Sequence, residues 1–196
     1  MIKVDDVIDI SSGSPQFRIR EALDPEAPVY SYYGQPEIEN DLSGIILNLD
    51  QSKQIRTWDQ VTTADTNEVV FSLISGTATL VSQIHHGYLL TQNYLKFDLK
   101  GKFDNRYFAY LLNENKSIQH QLRMGLQGSS VLKYSLKQVK NLEFSNVPSM
   151  ERQQLIGEVY FDQLKLEALR KRIAMLETTS VLEKLKGNDV NERNKI

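Results

Sequence analysis

The sequence predicts an α+β fold: a loop-rich domain built on a mixed sheet, followed by a long C-terminal helix of coiled-coil type. Three observations predict it. Residues 68–100 carry β-branched and aromatic runs punctuated by glycine, the pattern of paired strands. Residues 104–122 change to helical spacing. After Pro148 the stretch "SMERQQLIGEVYFDQLKLEALRKRIAMLE" contains no proline and a single glycine, so little opposes a helix once it has begun. These signals place the domain at residues 1–147, the helix at 148–186 and a polar tail, expected to fray, at 187–196.

The first third reads as short strands and turns rather than helices. "IKVDDVIDI" runs into "SSGSP", and "PEAPVYSYYGQPEI" sets prolines and a glycine among β-favouring Tyr and Val. "EVVFSLISG", "TATLVSQI" and "YLLTQNYLKFDLKG" then read as the strands of the central sheet, the last ending in a turn at Lys100-Gly101-Lys102. In "DNRYFAYLLNENKSIQHQL", Tyr107, Phe108, Leu111, Leu112, Ile118 and Leu122 share one helical side, with Asp104 placed to cap the start. A glycine and serine loop follows, then a turn capped by Ser135 and the strand "NLEFSNV". Beyond Pro148, with Ser149 as cap, Leu155, Val159, Leu166, Leu169, Ile173 and Leu176 fall on one seam of alternating four- and three-residue steps. Ile156, Tyr160, Leu182 and Leu185 widen the seam, and Asp162 and Ser180 interrupt it. From 150 to 186 the helix would run about 55 Å, longer than a domain of this size is wide. Its distal half must therefore meet something other than its own domain, and Leu155, Val159, Leu166, Leu169, Ile173, Leu176 and Leu182 are the candidate dimerisation residues.

Composition excludes several classes of function. With no cysteine there is no disulfide and no thiolate metal site, which fits a reducing interior. No signal peptide opens the sequence and no run approaches a membrane span, so a cytoplasmic protein is expected, with no membrane partner. His85, His86 and His120 lack the i, i+4 spacing of a helical metal pair. "GTATL" has no lysine for a phosphate loop, and no serine sits in a G-x-S-x-G elbow. No catalytic residue, metal or cofactor is assigned, and the expectation is a protein that is not an enzyme.

The net charge of −2 conceals a division. Residues 1–68 hold five Lys/Arg against thirteen Asp/Glu, a net of −8, whereas residues 69–140 hold nine against three, a net of +6. Such asymmetry permits a basic face on a nearly neutral protein. In "MGLQGSSVLKYSLKQVK", the backbone at Gly125 and Gly128, the hydroxyls of Ser129 and Ser130 and the cations Lys133 and Lys137 supply donors for phosphate oxygens and groove edges. Arg18, Arg20 and Arg56 stand in turn-rich stretches, where arginine can read guanine, and His85 joins the candidates through its place beside an expected glycine turn.

The order of these elements resembles one half of the DNA specificity subunit of type I restriction-modification systems. The resemblance rests on "EVVFSLISGTATLVSQIHHGYLLTQNYLKFDL" and on "YFAYLLNENKSIQHQLRMGLQGSSVLKYSLKQVKNLEFSNVPSMERQQLIGEVY", in which a helix, a glycine loop, a Ser-Leu turn, a strand, Pro148 and Glu151-Arg152-Gln153-Gln154-Leu155-Ile156 follow in turn. It implies a target recognition domain that reads half of a split site in double-stranded DNA. It also implies a spacer helix that docks methyltransferase subunits and leaves room for a restriction subunit. S-adenosylmethionine would belong to the methyltransferase. One domain and one helix imply a half-length subunit that dimerises through its helix, or one half of a longer subunit. Two readings of other classes stand beside it: a coiled-coil adaptor that binds protein without DNA, and a nuclease with an acidic site near Asp5, Asp6 and Asp9.

Overall fold

The computed structural model describes residues 2–46, 52–126 and 133–193, with side chains through Lys186. In chain order the elements are β1 (Ile2–Lys3), α1 (Val4–Val7), β2 (Asp9–Ser12), β3 (Val29–Ser31), α2 (Gln35–Ser43), β4 (Gln54–Arg56), β5 (Val69–Ser72), β6 (Ala78–Leu80), β7 (Tyr94–Asp98), α3 (Asn105–Glu114), α4 (Lys116–Met124), α5 (Leu136–Lys140), β8 (Glu143–Phe144) and α6 (Met150–Arg193). The α+β expectation holds, with the long helix last. The central sheet has the order β2-β7-β5-β6, and two-stranded ribbons join β1 to β8 and β3 to β4. All these ladders are antiparallel. Among the described residues the parallel component is confined to single bridges, Ser14 with Thr91 and Tyr32 with Leu89.

Strand β5 explains why the sheet holds the domain together. Its four residues, Val-Val-Phe-Ser, are all buried because both faces are covered. Alternation sends Val69 and Phe71 to a larger core with Leu95, Phe97, Phe108 and Leu112. Val70 turns instead to a smaller core with Tyr33, Ile38, Val81, Leu90 and Tyr94. A strand buried on both sides loses the polar alternation of a surface strand.

Several helix boundaries differ from the sequence reading, each for a local reason. The stretch taken as helix-breaking begins α2: Pro36 lies in the first turn, where its missing N–H costs nothing, and Gly34 N donates to Glu37 Oε2 at 2.8 Å. The single helix expected over 104–122 is two. Asn115 ends α3 and starts α4, its Oδ1 accepting from Ser117 N at 3.0 Å and Ile118 N at 3.1 Å. Asp104 and Ser135 cap α3 and α5 as expected. The long helix extends past 186 to Arg193.

Helix α6 runs parallel to α3. Gln153 Oε1 accepts from Asp104 N at 3.0 Å at the start of α3, Gly157 lies against Arg106 and Tyr107, and the Tyr160 hydroxyl accepts from Asn113 Nδ2 at 3.1 Å near its end. Asn113 also brackets the edge strand β6: its Oδ1 takes the Ala78 N–H and its Nδ2 reaches the Ala78 carbonyl, each at 2.8 Å. That amide gives the edge the hydrogen bonds a further strand would supply. At 1.5 Å per residue the helix is about 66 Å long, and from Glu177 to Lys186 every side chain is exposed. Among the described residues no helix is long and apolar enough to cross a membrane.

Candidate nucleic-acid interface

The antiparallel register collects loops at one end of the central sheet. Ser12 pairs with Leu95, Ser72 with Tyr94 and Phe71 with Ala78, so β2 and β5 end where β7 and β6 begin. The segments after β2 and β5 and the turn before β7 therefore emerge together. That turn, Thr91-Gln92-Asn93, joins two candidate loops. Gln92 Oε1 accepts from Gln16 N at 2.5 Å, beside Arg18, and Asn93 Oδ1 accepts from Lys133 Nζ at 2.6 Å. Tyr134 N donates to the Leu73 carbonyl at 2.8 Å, fixing the chain after Lys133 against the turn that follows β5. Gly76 in that turn has φ of 70° and a β-carbon there would press on the Tyr134 ring. Gln92, Asn93 and Tyr134 escaped the sequence reading; the only signal was a polar "TQN" between apolar runs.

The other candidates are distributed differently. Arg18 is exposed with its guanidinium 5.5 Å from the Phe17 ring centre. Arg20 is exposed, its backbone N–H held by Asp59 Oδ2 at 2.7 Å. Lys137 is exposed on α5. Arg56 is a brace: its Nη1 donates to the carbonyls of Pro25 and Ala27, holding the loop between them. Ser129 and Ser130 lie outside the described residues.

His85 corrects the sequence reading outright. It is 1% exposed, and its Nδ1 lies 2.7 Å from Asp41 Oδ1, while Asp41 Oδ2 accepts from the Tyr33 hydroxyl at 2.6 Å. The imidazole ties α2 to the short 3-10 turn at Gln83–His85 and offers no surface for DNA. Burial, with the Asp41 carboxylate second, pushes the Tyr33 hydroxyl well above its ordinary range. His86, its neighbour, is the exposed member of the pair.

The charge division partly closes on itself. Lys96 reaches Glu68 at 2.8 Å and Asp65 at 3.4 Å, Lys100 reaches Asp9 at 2.6 Å, and Lys140 reaches Asp5 at 2.9 Å. Acids of the first segment thus neutralise Lys100 across the β2–β7 contact, Lys140 across the α1–α5 contact and Lys96 from the loop before β5, while Lys102, Arg106, Lys116 and Arg123 are exposed. Asp5 and Asp9 sit in separate ion pairs, and among the described residues no group of three acids or histidines is placed to hold a metal. Among the described residues Asp5, Asp6 and Asp9, the acids of the alternative nuclease reading, form no such group.

Two stripes run along α6 on opposite sides. Gln153, Ile156, Gly157, Tyr160, Phe161, Leu164 and Ala168 are the buried or half-buried residues facing the domain. At 100° per residue, Leu155, Val159, Leu166, Leu169, Ile173 and Leu176 lie across the helix from them. Those six are 61%, 61%, 41%, 40%, 55% and 59% exposed. Ile156 and Tyr160, read from sequence as widening the seam, belong to the docked stripe. By the same spacing Leu182 falls away from the seam, and with Met175 it continues the docked stripe past the end of the domain; both are exposed.

A family model described as the type I restriction modification DNA specificity domain matches residues 1–178. No curated protein matches the chain. The fold is similar to that of the HsdS subunit from Thermoanaerobacter tengcongensis, with 16% identity, a TM-score of 0.55, and coverage of 88% of this chain and 39% of that one. It is similar also to the type I restriction-modification system S subunit from M. genitalium, with 17% identity, a TM-score of 0.50, and coverage of 90% and 40%. A third structure, described as the structural basis underlying complex assembly and conformational transition of the type I R-M system, gives 17% identity, a TM-score of 0.58, and coverage of 94% and 42%. At these identities the likeness is one of fold. The chain spans about two fifths of the length of the structures it matches.

Proposed function

The chain belongs to the type I restriction modification DNA specificity domain family, and from that premise we propose that it reads a half-site in double-stranded DNA and pairs through α6 with a second copy. In this reading residues 1–147 are the target recognition domain and α6 is the spacer. The pair docks a methyltransferase subunit, which brings S-adenosylmethionine and performs the chemistry; this chain supplies address rather than catalysis.

The observation that carries the proposal is the exposed seam of α6 on the side opposite its own domain. Fully burying a large aliphatic side chain contributes roughly 1.5–3 kcal/mol. Six such side chains on each of two helices, even at half that value, outweigh much of the roughly 4–15 kcal/mol cost of association. A two-fold pairing would present two identical domains to the duplex, which favours an inverted-repeat target. The continuation of the docked stripe, Met175 and Leu182, then remains for the methyltransferase subunit. On the domain, the loop end carrying Arg18 and Lys133 is the surface offered to DNA, with Arg20, Lys137, Ser129 and Ser130 kept as candidates on sequence grounds.

Selection from a random duplex library by the purified chain tests this. Enrichment of an inverted repeat with a fixed spacing is expected; recovery of unenriched sequence would contradict it. One observation favours the adaptor reading instead. Leu23 and Trp58 are 98% and 63% exposed in an acidic segment, a surface suited to protein. An adaptor would show no salt-dependent binding to duplex DNA.

A further inference from the structure

Phe17 is 81% exposed. Pro15 leads into a single 3-10 turn at Gln16–Arg18, closed by Arg18 N to the Pro15 carbonyl at 2.9 Å and Ile19 N to the Gln16 carbonyl at 3.2 Å. Below it the chain is sewn to the turn before β7: Ser14 N donates to the Leu90 carbonyl at 2.8 Å, Gln92 N to the Ser14 carbonyl at 3.0 Å, and Gln16 N to Gln92 Oε1 at 2.5 Å. An apolar ring is thus held out from a braced tip, with one guanidinium over its face and a second two residues further on. Folding gains nothing from leaving it there.

The surroundings choose its occupant. The same turn that braces Phe17 through Gln92 holds Lys133 through Asn93, so the ring stands on the cation-bearing edge of the domain. Asp59 accepts from Arg20 N at 2.7 Å, and Asp24 accepts from Glu26 N at 3.0 Å and from Trp58 Nε1 at 3.1 Å, so each has a protein partner; Glu21 follows Arg20 in the chain. A rigid aromatic flanked by arginines matches a polyanion with stacked rings in its interior. Apolar side chains presented in this way enter duplexes between base pairs and partly unstack them.

We propose that Phe17 is a wedge that enters a base step of the half-site, with Arg18 and Arg20 set to hold the adjoining phosphates. This rests on the DNA-reading function above and adds that the domain distorts the duplex it reads. Specificity then includes the ease of opening one step, and flexible pyrimidine–purine steps are favoured at that position.

The test uses the purified full chain, F17A, and R18A/R20A, with the duplex recovered by selection carrying 2-aminopurine at successive positions. Wild type should brighten the probe at one position per half-site, and F17A should abolish that signal. F17A should weaken binding by roughly 5- to 150-fold, the range of losing one base–aromatic stack, without changing the slope of log K against log salt. R18A/R20A should do the reverse, flattening the slope by about 0.9 for each phosphate no longer neutralised. An unchanged sedimentation mass and circular dichroism spectrum would show that F17A is folded. If wild type binds the duplex but F17A binds equally well, or the probe never brightens, the wedge falls and the DNA-reading function stands. Loss of methyltransferase capture by F17A with DNA affinity intact would overturn it too, assigning the ring to a protein contact. If wild type binds no duplex, both fall.

Discussion

Gly157 of α6 meets Arg106 of α3 so closely that a β-carbon built on the glycine would stand 2.6 Å from Arg106 Cβ and 2.7 Å from Tyr107 N. Gly157, on the docked stripe of the helix, is therefore a crossing point, set by the backbone of the domain it leans on. Replacing glycine by alanine within a helix ordinarily gains about 1 kcal/mol. Forcing a methyl into a filled contact costs about 1–3 kcal/mol, and here the obstacle is backbone and a β-carbon, which cannot swing aside. G157A should lower the urea midpoint, and G157V should lower it further. A G157A protein more stable than wild type would show that the two helices are not in contact there.

Thr79 is fully buried on β6, and its Oγ1 has no hydrogen-bond partner among the described residues. An unmet buried hydroxyl costs about 1–3 kcal/mol, and valine fills the same volume with better strand character. T79V should raise stability by about 1 kcal/mol, read as a higher thermal midpoint. A fall of that size would mean the hydroxyl has a partner.

Three tyrosines set an alkaline limit. Burial pushes the Tyr94 hydroxyl up to about 12, with Glu37 adding to it. Burial likewise takes Tyr160 to about 12, Glu114 adding while the Asn113 hydrogen bond opposes, and Tyr33 is raised well above its usual value. The unfolded tyrosine loses its proton near pH 10. Between about pH 10 and 12 the folded state therefore binds more protons than the unfolded, and stability declines as pH rises; below pH 10 these groups leave it unchanged. Urea midpoints from pH 9 to 11.5 should fall for wild type and fall less for Y94F. A flat profile would show these hydroxyls titrating as if exposed.

The seam of α6 should act without regard to the domain's own core, because its side chains are exposed in the single chain. L169K/I173K should halve the sedimentation mass while leaving the circular dichroism spectrum of the domain intact. M175K/L182K, on the other side of the helix, should keep the mass and weaken methyltransferase capture. Equal effects of the two pairs would remove the distinction between the stripes.

The parts of this molecule legible in sequence were those written in local spacing. Pro148 and the run after it announced α6, and Asp104 and Ser135 announced their helices because a cap is a contact across three residues. The strands around Val69 and Tyr94 could be read for the same reason. What could not be read was placed by contacts between distant segments. The apolar spacing of α6 was seen as one broad seam, since only packing against α3 reveals that Tyr160 faces inward and Val159 outward. His85, two residues before Gly87, looked like a turn residue until Asp41, 44 residues away, closed over it. The charge division suggested a basic face, whereas Lys100 and Lys140 commit their charge to Asp9 and Asp5. Pro36 looked like a helix breaker because its effect depends on whether it falls in the first turn or beyond it.

Everything proposed for this chain depends on its reading duplex DNA, and the direct measurement is its equilibrium affinity for the selected duplex across a salt series. The prediction is a linear fall of log K with log salt for wild type. In K133A/K137A the slope should be shallower by about 0.9 for each phosphate left without its lysine, and the far-UV spectrum should be unchanged. Affinity that does not respond to salt, or a slope identical in wild type and K133A/K137A, would contradict it.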